Sequence, residues 1–153
     1  MSSSGYCNES HYCMLGINDR HLVESLIQCG VARRKSMILT FPSDDAVPAS
    51  LLNHFIRGYF DGDGSVYGNS QSPCASFDGN ETFLAPLLEI IKQVTGTKAN
   101  LQRDRSIWCI KLGGKNIIRR LYDYLYTNST IYLSRKRTKF ETMLDIPVDV
   151  QRL

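Results

Sequence analysis

No stretch of this chain is apolar for long enough to cross a membrane, and nothing at its start reads as a signal peptide. The expected setting is therefore cytoplasmic, organellar or inside a phage-infected cell, without secretion and without a membrane partner. CxxC pairs are also missing. The five cysteines, Cys7, Cys13, Cys29, Cys74 and Cys109, are odd in number and scattered, which points to reduced thiols rather than a disulfide framework. Cys7, His11 and Cys13 lie near one another, but no fourth ligand stands close by to complete a zinc site. Strong charge bias is absent too: 18 Lys and Arg against 15 Asp and Glu give a formal net charge of +3. That balance is compatible with a nucleic-acid partner without establishing one. The basic residues are nevertheless gathered in places, at Arg33-Arg34-Lys35, Arg119-Arg120, and Arg135-Lys136-Arg137 with Lys139. A length of 153 residues suits one domain with a core of ordinary size.

What is present is concentrated in one run, from Phe55 through Asp61-Gly62-Asp63-Gly64 to Val66. Leu51, Leu52, Phe55, Ile56, Tyr59 and Phe60 recur at helical spacing, so the run reads as a helix that enters an acidic turn and then a strand. Gly58 and Gly62 fall four apart on this helix, in line with His54. A glycine inside a helix costs about 1 kcal/mol relative to alanine, so two in one stripe suggest a second helix approaching too closely for side chains. Asp61 and Asp63 sit at the helix C-terminus, where partial negative charge already accumulates. They are poorly placed there unless a cation balances them. A calcium-binding loop is excluded, because the glycines are out of place and no glutamate stands twelfth from Asp61.

The rest of the chain divides around this helix. Residues 6–17 read as a hairpin and 19–29 as a helix capped by Asn18 or Asp19, with Leu22, Val23, Leu26 and Ile27 on its buried face and Gly30 at its end. A short apolar segment spans 36–41, and 42–48 is a linker. Two strands follow the acidic turn, pairing around Gly68-Asn69-Ser70 within 66–77. Asn80 caps a helix to Val94. Strands at 99–103 and 106–112 turn at Asp104-Arg105, and helices cover 115–126 and about 132–144. The expected organisation is a partial unit over 1–47, a main α+β unit over 48–146 in the order α-β-β-α-β-β-α, and a tail over 147–153.

The nine residues Ile56-Arg57-Gly58-Tyr59-Phe60-Asp61-Gly62-Asp63-Gly64, with Phe55, Ser65 and Val66 around them, resemble the motif of the LAGLIDADG homing endonucleases. The half-unit order of that family matches residues 51–144, and residues 6–36 look like the tail of a preceding half-unit without its motif helix. The resemblance implies an αββαββα fold with an antiparallel, saddle-shaped sheet whose free face lies in the DNA major groove. It implies a site-specific endonuclease that depends on magnesium or manganese, cuts both strands of duplex DNA, and belongs to a mobile element, intron or intein. Asp63 matches the metal-binding acid of the family motif and Asp61 the second aspartate, which more often shapes the helix end. Lys136 matches the family's lysine beside the scissile phosphate, and Lys35 occupies the same point of the partial unit. Ser76 and Asn80 match a region where family members hold ordered water. One chain offers one clear motif, so a second must come from a homodimer through His54, Gly58 and Gly62, or from a complementary half-domain chain.

On the free sheet face, period-two alternation groups Lys98, Asn100 and Gln102. Tyr67, Asn69 and Gln71 are the candidates on the first hairpin. With Arg103, Lys111, Arg135 and Arg137 they form the expected DNA-binding set, since Asn and Gln pair with adenine edges and Lys with guanine or phosphate. Two alternatives share the fold: a DNA-binding protein that has lost cleavage, and an intron RNA maturase.

Overall fold

Leu84, Leu87, Leu88 and Ile91 repeat at three- and four-residue intervals, and Ile118, Leu121, Tyr122 and Leu125 do the same. Each set is buried in the structure on one side of a helix. The computed structural model describes residues 16, 18–28, 38–105 and 107–147. In chain order these form α1 (Arg20–Gln28), a 3-10 turn (Ala49–Leu51), α2 (Leu52–Asp63), β1 (Ser65–Gly68), β2 (Pro73–Gly79), α3 (Glu81–Thr95), β3 (Leu101–Asp104), β4 (Ile107–Gly113), α4 (Lys115–Tyr126) and α5 (Ser134–Met143). The fold is α+β, with four antiparallel strands in the order β1-β2-β4-β3. From α2 to α4 the elements follow the expected α-β-β-α-β-β-α order.

Directly opposed residues of antiparallel strands share a face. The pairs Val66–Ala75, Phe77–Ile110, Ala75–Leu112 and Leu101–Ile110 therefore define the helix-covered side. Their side chains join Ile56, Phe60, Phe83, Leu121 and Phe140 in one core. Phe60 is its hub: its ring lies 4.9 Å from Phe77 and 5.6 Å from Phe140, tying α2 to the sheet and to α5. The opposite side carries Ser65–Ser76, Tyr67–Cys74, Ser76–Lys111, Asp78–Cys109 and Gln102–Cys109.

Local chemistry sets the ends of the elements. Asn80 caps α3 by accepting from the Phe83 amide at 2.9 Å, and its Nδ2 donates to the Leu39 carbonyl at 2.9 Å. That second bond ties the segment around Leu39 to the strand end. Gly96 ends α3 in the left-handed conformation at φ 71°, as a C-terminal glycine commonly does. Asp19, rather than Asn18, caps α1 by accepting from the Leu22 amide at 2.9 Å.

Three expectations are corrected. The apolar stripe of α1 is not buried: Leu22, Val23, Leu26 and Ile27 are 39% to 62% exposed, and none joins the core. An amphipathic pattern marks a face able to pack, but packing needs an apposed surface, and the described core offers α1 none. Strand β3 begins at Leu101, so Lys98 and Asn100 precede it instead of lying within it. Thr97 receives the Ala99 amide on its Oγ1, a local bond that competes with strand pairing there. The first hairpin turns over residues 69–72, where Asn69 Oδ1 accepts from the Gln71 and Ser72 amides at 3.0 and 2.9 Å. The expected hairpin at 6–17 and the helix stop at Gly30 lie outside the described residues, apart from Gly16.

Gly64 joins α2 to β1 in extended conformation, at φ −80° and ψ 166°. A Cβ there would stand 2.4 Å from the Phe60 ring and 2.7 Å from the Phe60 carbonyl oxygen. Glycine is required by the close approach and not by the backbone angles. We predict that Gly64→Ala lowers stability by about 1–3 kcal/mol through this overpacking, read as a lower urea midpoint at unchanged slope.

Candidate active site

The C-terminal half of α2 faces the segment that joins α4 to α5, and three charged side chains lock the two together. Arg57 is 7% exposed. Its Nε donates to the Ile131 carbonyl at 2.9 Å and its Nη1 to the Leu125 carbonyl at 3.1 Å. Leu125 lies in the last turn of α4, where a cation is favoured by the helix dipole. Nη1 also donates to His54 Nδ1 at 2.8 Å, which leaves the His54 proton on Nε2. One turn further on, Asp61 accepts from the Tyr126 hydroxyl at 2.7 Å and from the Leu133 amide at 2.9 Å. Leu133 is the residue before α5, so the Asp61 carboxylate sits at a helix N-terminus, which favours negative charge. This offsets its unfavourable place at the end of α2.

Lys136 closes the lock from the other side. It is 5% exposed, and its Nζ donates to the carbonyls of Phe60 and Gly64 at 2.6 and 2.5 Å. Burial holds its pKa below the usual lysine value, with Arg135 acting in the same direction and Asp61 and Asp63 opposing it. The cation that balances the acidic helix end is thus a side chain of the protein itself.

Asp63, the last residue of α2, is exposed and lines a cavity of about 230 Å³ with Tyr59, Asp78, Gly79, Asn80, Leu39 and Ile107. The Tyr59 hydroxyl donates to the Asp78 carbonyl at 2.6 Å and occupies the space that a Cβ on Gly79 would need. Burial first, then the charges of Asp63 and Asp78, push the Tyr59 phenol up to about 12. The Asp78 carboxyl is raised above its ordinary value chiefly by burial. Lys111 opposes that shift, and Asp104 and Asp63 add to it. Asp63 and Asp78 are hard oxygen donors facing one cavity, a chemistry that suits magnesium with water or phosphate oxygens completing its shell. Among the described residues, no group of three or more His, Cys, Asp or Glu side chains converges on a metal position.

The other anticipated site residues separate. Tyr67, Gln102 and Lys111 lie on the side of the sheet away from the helices, and Lys111 Nζ is 3.8 Å from Asp104 Oδ2. Arg103 pairs with Trp108 and so points to the opposite side, at the sheet edge. Gln71, Lys98, Asn100 and Arg135 are exposed, while Asn69 commits its side-chain oxygen to the hairpin. Arg137 departs most from expectation. Its Nε pairs with Glu141 at 2.7 Å, its guanidinium stacks 4.4 Å from the Tyr132 ring centroid, and its side chain is 12% exposed. These contacts stabilise the start of α5 and leave little of the Arg137 side chain exposed. Gly58 and Gly62 are exposed, and a Cβ at either would meet nothing within 4 Å. Lys35 lies outside the described residues.

Sequence reasoning missed Arg57, Tyr59 and Asp78. Arg57 was hidden inside a recognisable motif. Asp78 alternates correctly with Ser76 for the free face, which is the one signal that could have drawn attention to it.

No family model matches the chain, and no curated protein does. Among solved structures it is similar to the homing endonuclease I-CvuI. In complex with its target in the presence of calcium, that protein aligns at a TM-score of 0.44 with 14% identity over 62% of this chain and 64% of I-CvuI. In complex with the I-CreI target and magnesium, with the DNA not cleaved, it aligns at 0.42 with 15% identity over 63% and 65%. The chain thus spans less than two thirds of I-CvuI. No described helix is long and apolar enough to cross a membrane.

The buried phenols make a testable pH dependence. Tyr59 and Tyr122 are both pushed from 10.0 to about 12, and Tyr126 is raised further in the same direction, by burial and its bond to Asp61. A pKa raised in the folded state gives stability that is complete below the unfolded value and is lost as pH climbs toward the folded one. We predict that the urea midpoint falls as pH rises from 10 toward 12, and that Tyr59→Phe makes that decline shallower.

Proposed function

We propose that this chain is a divalent-metal-dependent endonuclease domain of the LAGLIDADG homing type, acting on duplex DNA. The observation that carries the reading is the position of Asp63. A helix held at its end by Arg57, Asp61 and Lys136 delivers this acid into a cavity shared with Asp78, at the border of the free sheet face. Asp63 would hold magnesium or manganese, with Asp78 facing the same space. A metal bound there supplies charge neutralisation at phosphate and an activated water.

The residues of the chain account for the remaining requirements. Tyr67, Gln71, Gln102 and Lys111 would meet base edges or phosphates on the free face, with exposed Lys98, Asn100 and Arg135 as further candidate contacts and Arg103 reaching DNA only from the sheet edge. Strand cleavage at two positions needs two acid tips. The second would come from another copy of the chain, apposed along His54, Gly58 and Gly62, where the helix surface is open. A complementary half-domain chain would satisfy the same geometry. In a homodimer the two sites are related by a twofold axis, which favours a palindromic target.

One observation favours the second reading, a binding protein without cleavage: the Lys136 ammonium is already engaged by two carbonyls. The two readings part on one experiment. We predict that Asp63→Ala abolishes magnesium-dependent nicking of a cleavable duplex while changing DNA affinity less than about threefold, within the spread of a single surface contact. Cleavage by the variant at the wild-type rate would remove Asp63 from the site. Tight binding by a wild-type chain that never cuts its bound duplex would support the binding-only reading.

A further inference from the structure

We infer that Lys136 is a positioning residue: its ammonium locks the last turn of α2 and thereby aims Asp63, instead of reaching a phosphate. The inference rests on the reading of Asp63 as a metal ligand. Helix C-termini leave carbonyls without intrahelical partners, and a left-handed glycine commonly recruits amides to them. Here the residue after α2 is Gly64 in extended conformation, so that device is missing. The Phe60 carbonyl receives the Gly64 amide at 2.8 Å and, in addition, Lys136 Nζ at 2.6 Å. Gly64 follows Asp63 directly, and its own carbonyl receives the same ammonium at 2.5 Å. The two acceptors therefore bracket Asp63 in the chain. Nζ also lies 5.3 Å from the Phe60 ring centroid, a cation–π distance.

Two hydrogens of one ammonium thus go to backbone carbonyls, and the side chain comes from 72 to 76 residues away in sequence. Burial of an ammonium is costly unless its hydrogen bonds are made, and these carbonyls make them. Withdrawing Nζ to serve a phosphate would leave both carbonyls without it and free the turn that carries Asp63. Arg135, the exposed residue next to Lys136 in the chain, is a cation that could meet a phosphate without that loss.

The test combines accessibility with metal binding on the full chain. Reductive methylation followed by peptide mass spectrometry should label Lys136 at least about tenfold more slowly than the exposed Lys139, because labelling must wait for local opening. Manganese titration, read from broadening of the Asp63 and Gly64 amide signals, should show about 10–100-fold weaker binding in Lys136→Met, the usual effect of losing a group that orients a ligand. Lys136→Gln, which keeps an N–H donor, should recover part of that affinity. A lysine acting only at the phosphate would leave manganese affinity unchanged in Lys136→Met, and that result overturns the assignment, as does equal labelling of Lys136 and Lys139. If Lys136→Met does not fold, the Lys136→Gln comparison and the wild-type labelling decide. A wild-type chain whose Asp63 signal ignores manganese would contradict the metal reading, while the labelling contrast would still report on Lys136.

Discussion

The structure turns on a reciprocal exchange of helix caps between α2 and the segment from Leu125 to Lys136. Arg57 of α2 supplies the cation for the C-terminus of α4, Asp61 of α2 supplies the anion for the N-terminus of α5, and Lys136 of α5 supplies the cation for the C-terminus of α2. Each charge sits where a helix dipole favours it. Each is also hydrogen-bonded, which is the condition under which burying a charge is tolerable. The three use separate partners, and together they tie α2 to the segment from Leu125 to Lys136 at several points.

Rigidity in one place leaves freedom in another. With the inner face of α2 spent on the core through Ile56 and Phe60, and its end fixed by the capping exchange, an outer stripe at Gly58 and Gly62 is left open among the described residues, with half-buried His54 at its edge. Arg57 reaches back to His54 and fixes its tautomer, so the edge of the stripe is ordered as well. Asp63 lies between the Phe60 and Gly64 carbonyls that Lys136 holds. A short, stiff lever with an acid at its tip and an uncovered side suits a site completed by apposition of two such levers.

The order of elements was legible because it depends on local signals. The helix at 115–126 and the Asn80 cap follow from periodicity and from a side chain bonding three residues away, and both stand as expected. Charged residues on α5 were not legible in the same way. Arg135, Lys136 and Arg137 are consecutive and chemically alike, yet one is exposed, one is buried against α2 and one is stacked on Tyr132. Only the three-dimensional path of the chain, with contacts such as Arg57 to Ile131 across 74 residues, distinguishes them. Asp78 escaped notice for the related reason that its neighbour Asp63 lies on a different element.

On the homodimer reading proposed above, two copies of the chain together complete one two-tip site. Light scattering of the purified chain across concentration, with and without a duplex, addresses it directly. A species approaching twice 17.3 kDa is expected as concentration rises, lost when Gly58→Leu fills the open stripe. A single 17.3 kDa species under every condition would contradict it.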